Sequence, residues 1–208
     1  KLQSDPSSED GEPHSNSNES VPNESNPSQN KSESGETDSG SKVPTTVRNG
    51  SFEKDLDGWT IGKDLPEKPG DSSDKIDHGA ETVTREASDG STSIQFYLDG
   101  SADDGTIWVA QTVDLSRADS VLVDVYSEQK SFNTLSEAAF YAGPKGSDEL
   151  VEKDFDRSNS VEDHCGWKTF RYDVSDVDGA AAVAVGMNII WETGVRHVYD
   201  NVRLETSG

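Results

Sequence analysis

The chain has 208 residues, 41 acidic side chains against 18 basic ones, a formal charge of −23 and only 30% hydrophobic residues. That balance repels phosphate backbones and anionic membrane surfaces, because nucleic-acid binding depends on Lys and Arg displacing condensed counterions. No run of roughly 20 apolar residues reads as a membrane-spanning segment, and the single cysteine, Cys165, excludes an intrachain disulfide.

Residues 1–46 are low-complexity, dominated by Ser, Asn, Glu, Asp, Pro and Gly, with Leu2, Val21 and Val43 the only aliphatic side chains. Such a segment buries too little apolar surface to offset its ordering entropy, so a disordered, charge-swollen linker is expected. Asn18-Glu19-Ser20, Asn23-Glu24-Ser25 and Asn30-Lys31-Ser32 are glycosylation sequons, which an Asn/Ser-rich tract also produces by composition alone. The chain opens on Lys1, so either a targeting segment has been removed or the sequence is a fragment.

From Val47 the composition changes, and residues 47–208 read as one domain. Val47 to Trp59 opens it, and residues 62–80, rich in Gly, Pro, Asp and Lys, read as a long loop. Glu81 to Arg85 alternates as a strand. After the Asp89-Gly90-Ser91 turn, Thr92 to Leu98 sets Ile94, Phe96 and Leu98 on one face. Thr106 to Val113, Ser120 to Tyr126 and Glu137 to Ala142 follow as strands. Residues 143–166 form a polar excursion with room for one short strand. Trp167 to Val174, Ala181 to Trp191 and His197 to Glu205 complete the set. No stretch of helical length has a 3.6-residue apolar period, so the expected fold is an all-β antiparallel sandwich behind a disordered tail.

The two ends of the domain carry matching signatures, Asn49-Gly50-Ser51-Phe52-Glu53 with Gly58-Trp59, and Tyr199-Asp200-Asn201-Val202. Together they resemble the galactose-binding-like β-jelly-roll domains, which include many carbohydrate-binding modules. The resemblance covers residues 47–205. It implies an extracellular, non-catalytic module for a glycan or polysaccharide, with attachment to a larger surface protein left open. It also implies a structural calcium where the first and last strands meet, with Glu53 and Asp200 at the matching positions. Calcium takes six to eight oxygens, so backbone carbonyls near Asn49, Ser51 and Gly90-Ser91 would complete the shell. The rival, two carboxylates making ordinary hydrogen bonds, stays open. Glu53 to Gly58 echoes the start of an EF-hand loop but lacks its first Asp, last Glu and helices.

Three causes of the acidity compete: solubility of a secreted module, clustered calcium ligands, and a high-salt proteome. The last accounts for acid spread over tail and domain alike, since molar salt screens self-repulsion. Among the aromatics, Trp59 and Trp167 occupy Gly-Trp positions and are expected in the core, as is Trp191 by parity. Trp108 opposes Ile107, Val109 and Val113, Tyr97 opposes Phe96 and Leu98, and Tyr126 opposes Val123 and Val125. Arg171 and Asn188 fall on the outward parity of later strands. One face carrying Tyr97, Trp108, Tyr126, Arg171 and Asn188 would form a glycan groove, unless the outward aromatics pack beneath a loop. The alternatives are a structural or adhesive surface domain without a groove, or a polysaccharide-acting enzyme. No Gly-x-Ser-x-Gly, phosphate loop or His-Glu-x-x-His is present, and His164-Cys165 has no metal or nucleophile spacing with His78 or His197.

Overall fold

The computed structural model describes residues 42–66, 76–99, 105–127, 136–161, 165–190 and 194–206. Most of the expected tail, together with His164 and Trp191, lies outside the described residues. A short strand, β1 (Glu53–Leu56), precedes two five-stranded sheets. The first sheet contains β2 (Thr60–Asp64), β5 (Thr106–Asp114), β7 (Ser136–Gly143), β8 (Asp156–Ser160) and β10 (Ala180–Ile189). The second contains β3 (His78–Val83), β4 (Ser93–Leu98), β6 (Ser120–Ser127), β9 (Gly166–Asp173) and β11 (Val195–Glu205). Their orders are β2-β5-β10-β7-β8 and β3-β4-β11-β6-β9, with antiparallel pairing.

The core is the layer between the sheets. Ile107, Val109 and Val113 of β5 and Val183, Val185 and Met187 of β10 supply one wall. Ile94, Phe96 and Leu98 of β4 and Val121, Val123 and Val125 of β6 supply the other. These are the period-two positions of the sequence, so alternation alone places them inward. Phe140 on β7 stacks on Tyr172 on β9 at 4.0 Å with ring planes 10° apart, tying the sheets together.

The strands follow the sequence reading closely, with one correction. Residues 62–80 are not all loop: β2 runs through Gly62 to Asp64, and β3 begins at His78. Gly62 belongs in a strand here because it faces Trp108 in the β2–β5 register, and a Cβ on it would lie 2.3 Å from the indole.

The opening signature is a folding device. Asn49, at φ 49°, accepts from the Lys54 amide at 3.0 Å and donates to the carbonyls of Asp55 and Asp57 at 2.8 and 3.2 Å. Its own carbonyl accepts from Trp59 Nε1 at 3.0 Å. Phe52 and Trp59 are buried and stack at 5.4 Å. Gly50 lets this knot touch the last strand: the Val202 amide donates to its carbonyl at 2.9 Å, and a Cβ would lie 2.0 Å from the Val202 carbonyl oxygen. The two signatures thus meet through backbone.

Candidate functional site on the outer faces

The five expected groove residues do not share a face. Trp108 and Asn188 lie on β5 and β10 of the first sheet, whereas Tyr97, Tyr126 and Arg171 lie on β4, β6 and β9 of the second. Strand parity is right for each, but consecutive strands fall in opposite sheets, so the residues point out of opposite sides of the sandwich.

On the first sheet the outward positions of the central strands are small: Ala110 on β5, Ala184 and Gly186 on β10, Ala139 on β7. Trp108 lies over this floor and is only 2% exposed. The segment between β7 and β8 folds back across it, and Phe155 packs on Trp108 at 4.8 Å, with Leu150 and Tyr141 beside it. Lys145 pairs with Asp154, Arg157 pairs with Glu152, and the Glu152 amide donates to Asp64 Oδ2 at 2.9 Å. Burying Leu150 and Phe155 is worth about 1.5–3 kcal/mol each, against about 0–1 for a partly exposed ion pair. Apolar burial therefore holds this strap down. The Trp108 indole N–H meets no acceptor among the described residues, a cost of about 1–3 kcal/mol that ring burial offsets. Asn188 is fully buried, its amide 2.7 Å from the Thr106 hydroxyl. Of the two sequence readings of Trp108, packing beneath a loop is the one observed.

The second sheet is different. Its outward row Glu81, Gln95, Val198, Tyr126 and Trp167 runs across all five strands in register, with Gln95 and Val198 buried beneath the segment that carries Arg85 and with Glu81, Tyr126 and Trp167 reaching solvent. Trp167 is a correction: it is partly exposed and packs against Tyr126 at 5.4 Å with planes 58° apart. Phe170 and Tyr172 point inward on the same strand, so parity would have turned Trp167 outward had the Gly-Trp match not been preferred. In the neighbouring row Tyr97 faces Arg196, whose guanidinium lies 4.5 Å above the ring. On the other side of Tyr97 is Gly79, where a Cβ would meet nothing within 4 Å. From Tyr97 on β4 to Trp167 on β9 is three strand spacings, about 14 Å. Arg171, also outward, is exposed and pairs with Glu205 at the far end of β9.

Glu53 and Asp200 converge on one turn. Glu53 Oε1 accepts from the amides of Ser91 and Thr92 at 2.7 and 2.6 Å, and Oε2 accepts from the Ser91 hydroxyl. Gly90, at φ 73°, passes so close that a Cβ would sit 2.6 Å from Glu53 Oε1. Asp200 Oδ2 accepts from the amides of Ser88 and Asp89 at 2.7 and 2.9 Å, and Oδ1 accepts from the Asn201 amide at 2.6 Å. Asn201, at φ 52°, marks the β-bulge where the β6–β11 register slips. Asp124 lies opposite Asp200, and the Ser88 hydroxyl sits between the two carboxylates, 3.0 and 3.3 Å away.

Amide donors from Ser91 and Thr92 hold the Glu53 carboxyl below its ordinary range. Burial pushes Asp200 up. Burial acts on Asp124 as well, but hydrogen bonds from Thr169, Asn201 and Ser88 and the charge of Arg203 outweigh it and hold that group low. Calcium needs a shell of oxygens, whereas the 88–92 turn presents N–H groups to both carboxylates. The donor set therefore does not fit a calcium ion in this arrangement. The clamp itself ties the turn to the first and last strands.

No family model and no curated protein matches the chain. Among solved structures, the family 11 carbohydrate-binding module from Clostridium thermocellum, in complex with a β-1,3-1,4-mixed-linked tetrasaccharide, aligns with a TM-score of 0.51 at 13% identity. The alignment covers 78% of this chain and 95% of that one. A structure described under the promiscuous specificity of carbohydrate-binding modules of the β-sandwich superfamily gives a TM-score of 0.50 at 14% identity, over 79% of this chain and 64% of that one. The class of fold is thus settled as an antiparallel jelly-roll sandwich. Both of these carbohydrate-binding modules share that fold with the chain.

Proposed function

We propose that this chain is a non-catalytic glycan-binding module that works outside the cell, with its platform on the outer face of the second sheet. The observation that carries this reading is the partly exposed Tyr126–Trp167 pair at the β6–β9 side of the second sheet, in a fold shared with carbohydrate-binding modules. A pyranose ring presents an apolar face that stacks on an aromatic ring while its hydroxyls turn to polar partners. Thr169, the next outward residue of β9 after Trp167, stands exposed beside the pair. The non-catalytic part is supported by Asp124 and Asp200, the carboxylates facing each other across β6 and β11, which are both saturated with donors. Among the described residues no helix is long and apolar enough to cross a membrane. An excess of 41 acidic over 18 basic side chains suits an exported domain in concentrated salt.

Affinity electrophoresis through gels containing soluble polysaccharides tests the reading. Retardation by at least one polysaccharide is expected for the wild type and is lost in Trp167→Ala and Tyr126→Ala. Both variants should melt within about 4 °C of wild type, the shift that about 1 kcal/mol produces in a domain of this size. If no polysaccharide retards the wild type, a structural or adhesive domain is the better account.

A further inference from the structure

The same face carries an exposed arginine with no carboxylate partner among the described residues. With 41 acidic side chains to 18 basic ones, carboxylates compete for every cation in this chain. Arg48 pairs with Asp57, Arg157 with Glu152, Arg171 with Glu205 and Arg203 with Asp124. Arg85 donates to Gln95, and Arg117 lies in the field of Asp114. Arg196 is the exception. It is exposed, and its partner among the described residues is the face of the Tyr97 ring.

A guanidinium lying over a ring keeps its edge N–H groups available, and that planar fork matches a carboxylate with two parallel hydrogen bonds. The stack fixes the plane of the fork beforehand, so little side-chain freedom is lost when an anion binds. Arg196 stands in the Tyr97 row, next to the row that carries Tyr126 and Trp167. A chain of sugars stacked on the aromatic pair and running across the strands would bring a ring substituent to the guanidinium. Gly79 leaves the opposite side of Tyr97 open for the same chain.

We infer that the ligand of this face is a carboxylated polysaccharide, a polymer containing hexuronate residues, and that Arg196 selects the carboxylate. The inference rests on the glycan platform proposed above and adds the ligand's charge. It also gives a reason for an exposed arginine whose partner among the described residues is an aromatic ring rather than a carboxylate.

The test measures binding of the full chain, by titration calorimetry at fixed moderate salt with EDTA present, to polygalacturonate, to its fully methyl-esterified form and to a sulfated galactan. Wild type is expected to bind polygalacturonate at least about tenfold more tightly than the ester, as a charge-assisted pair requires. The sulfated polymer should bind more weakly than polygalacturonate. Arg196→Gln should bring polygalacturonate down to the level of the ester, with Arg196→Lys in between. Equal wild-type affinity for acid and ester, or a preference that survives Arg196→Gln, overturns the inference while leaving the glycan platform standing. Equal or tighter binding of the sulfated polymer overturns the assignment to a carboxylate. Binding to none of the three by wild type, with no polysaccharide retarding it in the gels, removes both the inference and the platform.

Discussion

The two outer faces of the sandwich solve the same problem in opposite ways. Each is the outward side of a five-stranded sheet and carries an outward tryptophan. On the first sheet Trp108 stands on a floor of alanine and glycine, and the chain closes over it with Leu150 and Phe155. On the second, Trp167 and Tyr126 stay partly in solvent, while the 88–92 turn covers the neighbouring carboxylates. The lesson is that an outward aromatic marks a binding face only when no later segment is long enough and apolar enough to cover it.

The comparison breaks most readily at Trp108. Trp108→Ala should cost about 3–5 kcal/mol, through lost burial and the cavity left beneath the strap. Chemical denaturation measures this. A Trp108→Ala protein as stable as wild type would mean that the strap does not pack on the ring in solution.

Two glycines sharpen the contrast. Gly186 faces Trp108 across β5 and β10, and a Cβ there would meet the Ile107 carbonyl oxygen at 2.0 Å. Gly186→Ala should therefore destabilise by about 1–3 kcal/mol, because backbone must move. Gly79→Ala, on the open face, meets nothing within 4 Å and should leave the melting temperature unchanged or slightly raised. Equal effects from the two changes would erase the distinction between a filled face and an open one.

The clamp on the 88–92 turn gives a pH signature. Glu53 has a lowered pKa, so its contribution is full above its ordinary value of 4.5 and is lost as pH falls through the lowered value. Asp124 behaves alike below its ordinary value of 3.8. Asp200, raised by burial, has the opposite sign: its contribution is full below 3.8 and lost as pH rises through its raised pKa. The melting temperature should therefore drop on acidification below about 4.5, and Glu53→Gln should flatten that drop while lowering stability at neutral pH. Millimolar calcium should leave the wild-type melt where it is. A calcium-dependent rise of several degrees, absent in Asp200→Asn, would show that the turn inverts to present its carbonyls.

The smallest effect concerns the entry to the domain. The Asp114 amide donates to the Pro44 carbonyl at 2.7 Å. Removing residues 1–41 should leave thermal unfolding unaltered, whereas removing 1–46 should cost about 1 kcal/mol through that bond.

Much of this molecule was legible in one dimension. Period-two alternation put Ile94, Phe96, Leu98, Val121, Val123 and Val125 inward and turned Trp108, Tyr97 and Tyr126 outward, because the pleat sends successive side chains to opposite faces whatever the strand pairs with. The Asn49-to-Trp59 knot was legible too, since Asn49, Gly50 and Gly58 are demanded by local backbone and close approach. What alternation could not give was the sheet to which each strand belongs. Tyr97 and Trp108 sit on consecutive strands, as do Arg171 and Asn188, yet each pair is divided between the two sheets. The joining of Glu53 and Asp200 on one turn was anticipated from the paired signatures. That N–H groups meet them depended on how the 88–92 turn is folded, which side-chain identity does not encode. The fate of Trp108 likewise rested on residues 144–155, more than 30 positions further on. Inward or outward is a property of the strand alone, because it follows from backbone geometry. Covered or open is a property of the whole chain, because it depends on which distant segment gains most by burying its own apolar side chains there.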